Sequence, residues 1–62
     1  MLFLKAITTD GKTEYLNAEK ILSIQPYGNN LKELKILMGA GLYWRVKADT
    51  VEIVELKDII KH

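Results

Sequence analysis

Turn signals built on glycine recur at short intervals along this chain: Asp10-Gly11, Gly28-Asn29-Asn30 and Gly39-Ala40-Gly41. Gly, Asn and Asp enter tight turns at little steric cost. Punctuation at this spacing therefore cuts the chain into strand-length pieces and points to consecutive antiparallel strands. Residues 2–9 read as the first strand. Asp10-Gly11 then predicts a type I′ hairpin, with both turn positions at positive φ. Residues 13–16 form the second strand. Asn17-Ala18-Glu19-Lys20 breaks the β pattern and fits a single helical turn capped by Asn17. Residues 21–27 are the third strand, with Pro26 near an edge or at the strand's end, because it has no N–H for a ladder.

The clearest hairpin joins residues 31–38 to residues 42–48 across Gly39-Ala40-Gly41. In its second strand Leu42, Trp44, Val46 and Ala48 share one face, expected in the core; Tyr43, Arg45 and Lys47 share the other, facing water or a partner. At the C-terminal end Asp49 and Glu52 have the spacing of a capping box. At helical spacing Ile53, Leu56, Ile59 and Ile60 fall on one face, which predicts a helix over about 50–61 packed through those four residues. Val51 and Val54 lie toward its charged side. The β-branched Thr50, Val51, Ile53 and Val54 keep a strand open for the first half of that segment. The expected fold is thus α+β: a small, mostly antiparallel five-stranded sheet or open barrel closed by one C-terminal helix, in a single domain over residues 1–62.

Size sharpens the argument. A domain of 62 residues buries only roughly 60% of the surface its unfolded chain exposes and is marginally stable, so small folds lean on disulfides, a metal or self-association. There is no cysteine, and the one histidine is His62, so neither a disulfide nor a zinc ligand set is available. Self-association is the remedy left. A hydrophobic fraction of 48% with 27% charged residues speaks against disorder. No stretch approaches the ~20 apolar residues that span a bilayer. Lys5 interrupts the opening residues, which do not resemble a signal peptide. With the missing cysteines this leads to the expectation of a cytoplasmic protein without membrane insertion. The nine basic and eight acidic residues, net charge +1, give no general electrostatic case for nucleic acid.

No constellation of side chains suggests catalysis, a cofactor or a metal. Ser23 is the one serine and stands in an apolar stretch without a histidine near it in sequence. Glu52, Glu55 and Asp58 fit a solvated or capping role better than a cation site. The glycines at 39 and 41 lack the Gly-Lys-Ser/Thr continuation of a phosphate loop. Two candidate interaction surfaces remain. Tyr43, Arg45 and Lys47 alternate an aromatic with two cations on one strand face, a pattern able to stack bases and hold phosphates; Glu33 is expected on the neighbouring strand, which favours a solvated or protein-binding face. Val51 and Val54, displaced from the apolar helix face, are candidates for an oligomer interface, unless helix curvature or a later start brings both into the core.

Residues 11–24, Gly-Lys-Thr-Glu-Tyr-Leu-Asn-Ala-Glu-Lys-Ile-Leu-Ser-Ile, and residues 41–54, Gly-Leu-Tyr-Trp-Arg-Val-Lys-Ala-Asp-Thr-Val-Glu-Ile-Val, resemble the small flagellar FlbD proteins, also called swarming-motility SwrD. The family's Pro-Asp-Thr-type tight turn is replaced here by the longer stretch 26–33. The resemblance implies a compact β-sheet with a terminal helix, in a cytoplasmic, non-enzymatic accessory of flagellar motor power or swarming; it carries no binding residues over. Ile21-x-x-Ile24, Tyr27-Gly-Asn, the following hairpin, and a final strand and helix are similar to the core of LytTR-type DNA-binding domains. The sequence thus leads to a non-enzymatic protein–protein adaptor that forms a homo-oligomer. The competing reading is a nucleic-acid-binding regulatory module, in a regulator or phage-encoded, using Tyr43, Arg45 and Lys47.

Overall fold

The computed structural model describes residues 1–60. The chain is mostly β, with six strands: β1 (Leu2–Ile7), β2 (Thr13–Asn17), β3 (Ser23–Tyr27), β4 (Asn30–Gly39), β5 (Leu42–Lys47) and β6 (Glu52–Glu55), followed by the short helix α1 (Leu56–Ile59). They form two three-stranded antiparallel sheets, ordered β2-β1-β6 and β3-β4-β5, in place of one five-stranded sheet or barrel. A main-chain bridge links the sheets at one corner, where Thr8 pairs with Val46 and the Thr9 N–H donates to the Arg45 carbonyl at 3.2 Å.

Local chemistry accounts for the hairpins. The β1–β2 connection is longer than a type I′ turn, and only Gly11 takes a positive φ. The Thr8 hydroxyl explains the change: it accepts from the Lys12 N–H at 3.0 Å and donates to the Asp10 carboxylate, while the Gly11 N–H closes on the Thr8 carbonyl. These bonds draw residues 8–12 into one loop. Consecutive positive-φ residues occur instead at the turn from β4 to β5, where Gly39 (φ 119°), Ala40 (φ 51°) and Gly41 (φ 78°) reverse the chain. Asn17 does cap a turn: its side chain accepts from the Glu19 N–H at 3.0 Å at the head of the 3₁₀ segment Ala18–Lys20.

The helix expected over 50–61 is replaced by three pieces. Ala48–Thr50 is a 3₁₀ turn, Glu52–Glu55 is strand, and only Leu56–Ile59 is α-helical; the end of the expected span lies outside the described residues. Asp49 and Glu52 form no capping box. Thr50 is the pivot. Its hydroxyl accepts from the Ile7 N–H at 2.9 Å and donates to the Lys47 carbonyl at 2.7 Å, which leads the chain alongside β1. There β6 supplies the main-chain partners that β1 would otherwise lack, pairing Phe3 with Val54 and Leu4 with Ile53. A β-branched run beside an open strand edge thus outweighs helical periodicity. The expected helical face is accordingly not a core face: Ile53 and Ile60 are 59% and 70% exposed.

The core is small. Leu4, Ala6 and Leu16 from the first sheet meet Ile36 and Val46 from the second, and Ile21, Leu34, Met38, Trp44 and Val51 pack half-buried around them. Of the face expected in the core, Val46 is buried, Trp44 packs half-buried against the core, and Ala48 is half-buried in the 3₁₀ turn that follows β5. Leu42, at the strand's start, is exposed instead of buried.

Candidate functional site

The outward face of the β3-β4-β5 sheet gathers two tyrosines, an ion pair and two cation–ring contacts. Register sets it up: Glu33 lies opposite Lys47, Lys35 opposite Arg45 and Leu37 opposite Tyr43. Side chains directly opposite on one face of an antiparallel pair stand about 5 Å apart, close enough for charged and aromatic groups to meet. Tyr43, Arg45 and Lys47 are all exposed there, as the alternation of β5 requires.

Three further residues join them. The Arg45 guanidinium reaches diagonally to Glu33, with Nε at 2.8 Å and Nη2 at 2.7 Å from Oε1. Its central carbon lies 4.2 Å from the centre of the Tyr27 ring. Tyr27 reaches across from β3 and places its ring 6.3 Å from that of Tyr43, tilted by 35°. Lys35 sets its ammonium 4.8 Å from the centre of the Tyr43 ring. The result is a connected set, Glu33–Arg45–Tyr27–Tyr43–Lys35. Hydrogen bonding with Tyr27 is the main cause that raises the Tyr43 pKa above the ordinary phenol value, and the hydrogen bond to Glu33 raises that of Arg45.

Of these partners Glu33 is legible in the sequence, because β4 and β5 form an evident hairpin. Tyr27 is not. It lies two strands from Tyr43, and it follows a register irregularity between Pro26 and Tyr27 that alternation along β3 does not reveal. Lys47 stands apart from the ring cluster. With Lys32, Glu33 and Asp49 it lines an open groove of about 570 Å³ whose walls carry both signs of charge.

The two valines separate. Val51 packs against the buried cluster, while Val54 is half-buried on β6, opposite Phe3 and on the rim of a hollow shared with Tyr15 and Ile59. A helix would have kept them together; the strand sends one inward and the other to the far side of its sheet. The carboxylates are occupied locally: Glu52 is 3.6 Å from the Lys5 ammonium and Glu55 3.3 Å from that of Lys57. Ser23 accepts from the Gln25 amide at 3.3 Å. Among the described residues no three His, Cys, Asp or Glu side chains are grouped to hold a metal ion. No helix among the described residues is long and apolar enough to cross a membrane.

No protein-family model matches the chain, and no curated protein or solved structure is significantly similar to it.

Proposed function

We propose that this chain is a non-enzymatic protein-interaction module that self-associates and serves as a cytoplasmic adaptor, in the manner of flagellar or swarming accessory proteins. One observation carries the reading. Among the described residues five hydrophobic side chains are buried, whereas eleven large ones are exposed, Leu22, Leu31, Leu42 and Ile60 by two thirds or more. Scattered exposed apolar groups are ordinary, but eleven large ones against a buried group of five leave so small a fold with apolar side chains that a partner could cover. A standard interface covers ~800 Å² of each partner, under a fifth of the 4544 Å² available here.

The polar face supports a protein partner over nucleic acid. Tyr and Arg are the residue types that dominate interface hot spots, and here they are held in place by contacts with one another. Base stacking needs open ring faces and phosphate binding needs unmatched cations. Both tyrosine rings carry a cation over one face, and Arg45 is neutralised by Glu33. A nucleic-acid role through Tyr43, Arg45 and Lys47 is the second reading, favoured by the two tyrosines alone.

Titration with mixed-sequence DNA and RNA at low and moderate salt, beside thermal melts at a series of protein concentrations, separates the two. The expected result is no salt-sensitive nucleic-acid binding and a melting midpoint that rises with concentration. Tight binding that weakens steeply with salt would replace the adaptor reading with the nucleic-acid one.

A further inference from the structure

Four strands lie at sheet edges: β2 and β6 in one sheet, β3 and β5 in the other. Edge strands expose unpaired main-chain groups, and soluble proteins normally guard them with charged side chains. β2 carries Glu14, β6 carries Glu52 and Glu55, and β5 carries Arg45 and Lys47. β3, Ser-Ile-Gln-Pro-Tyr, has no charge at all.

The direction of its main-chain groups follows from the hydrogen bonds. Arg45 offers its carbonyl to Thr9, away from β4, so Trp44 and Val46 turn theirs toward β4. Ile36 and Leu34, opposite them, face β5, and Leu37 and Lys35 therefore face β3. The Leu37 carbonyl accepts from Leu22 at 2.8 Å, in agreement. Ser23 and Gln25, opposite Leu37 and Lys35, then bond inward. Ile24 is left with its N–H and C=O pointing outward, and the Pro26 nitrogen faces the same way, where no donor is needed. The Ile24 side chain belongs to the row Ile24–Ile36–Trp44, yet it is 46% exposed while Ile36 is 0% exposed. The first sheet covers the β4–β5 part of this face and stops short of β3. Leu22, beside it, is 67% exposed.

We infer that β3 pairs antiparallel with β3 of a second copy about a two-fold axis at Ile24, joining two β3-β4-β5 sheets into one six-stranded sheet. The inference rests on the self-association reading and names its site. In this register Ile24 meets its own counterpart and exchanges two main-chain hydrogen bonds, Ser23 faces Gln25, and Leu22 faces Pro26. No like charges meet. The same operation on β6, about its centre, would set Glu52 against Glu55, which is repulsive. Uncharged self-complementarity selects a second copy as the occupant of this edge.

Because the chain has no cysteine, the geometry can be read by cross-linking. Cα atoms in a hydrogen-bonded antiparallel pair are about 5.5 Å apart, within the ~4.4–6.8 Å span of a disulfide. Ile24→Cys is therefore expected to form a covalent dimer on mild oxidation, at least tenfold faster than Leu31→Cys, a site 80% exposed and away from the edge. Sedimentation of Ile24→Lys, with circular dichroism confirming its strands, should show the monomer. Equal cross-linking rates, or a dimer that survives Ile24→Lys and is lost in Val54→Asp, overturn the β3 assignment and leave self-association standing. A wild-type chain that is monomeric at every concentration overturns both.

Discussion

Replacing Ile36 with Ala tests whether the junction of the two sheets holds the fold together. Ile36 is 0% exposed, lies on the central strand β4 and meets Leu4, Ala6 and Leu16 of the opposite sheet in a buried group of five. The substitution removes three carbons, worth about 0.8 kcal/mol each in transfer, or about 2.4 kcal/mol. The remaining cavity adds to this, and measured Ile→Ala changes in cores run ~2–5 kcal/mol. Two thin sheets meeting through so few side chains can collapse only partly, so a cost of about 3–4 kcal/mol is expected. Stability scales as ~0.05–0.15 kcal/mol per residue, so 62 residues provide about 3–9 kcal/mol. The variant should therefore lose between about a third and all of the stability of the fold, and at the low end of that range it is unfolded in buffer. Urea titrations followed by circular dichroism, at matched protein concentration, give the difference directly. Leu31→Ala, at a side chain 80% exposed, is the control and should change stability by less than about 0.5 kcal/mol. A loss below about 1 kcal/mol for Ile36→Ala would refute the claim that this cluster carries the fold.

Other perturbations separate the remaining parts of the account. Thr50→Val should cost about 1–3 kcal/mol in the same titration by leaving the Ile7 N–H and the Lys47 carbonyl without their hydroxyl partner, while Thr50→Ser should recover most of it. Ala40→Gly should stabilise the fold by up to about 1 kcal/mol, since an L side chain at φ 51° is disfavoured; no gain, or a loss, would count against a strained turn there. The Tyr43 phenol should titrate above 10.0, and Tyr27→Phe should bring it down, as read from phenolate absorbance. Because the folded state holds that proton more tightly, the stability it contributes is complete below about pH 10 and is lost as pH rises through the folded pKa, so wild type should lose more stability than Tyr27→Phe over that alkaline range.

Much of the β architecture was readable from local chemistry. The turn glycines marked all three hairpins, Asn17 marked its capped turn, and the β5 alternation correctly divided Trp44 and Val46 from Tyr43 and Arg45. Two features were not readable, for related reasons. Residues 52–55 satisfy helical spacing and strand propensity together, and the choice falls to β1, which sits between two edges and takes Glu52–Glu55 as its second neighbour. The same choice determines the sheet count, because β6 completes a sheet with β1 and β2 and leaves β3-β4-β5 as a sheet of its own. Tyr27 escaped notice because it meets Tyr43 across an intervening strand, and a pattern along one strand does not report a neighbour two strands away. Sequence periodicity could separate neither Val51 from Val54 nor Leu42 from Trp44; burial at strand ends depends on where the opposing sheet stops.

The central claim is that exposed apolar surface on this small fold is covered by a second copy of the chain. Sedimentation equilibrium of the wild-type protein from low to high micromolar concentration tests it most directly. The account predicts a mass that rises from that of the 7.1 kDa chain to twice that value, with a single monomer–dimer equilibrium describing all concentrations. A mass that stays at 7.1 kDa throughout would contradict it.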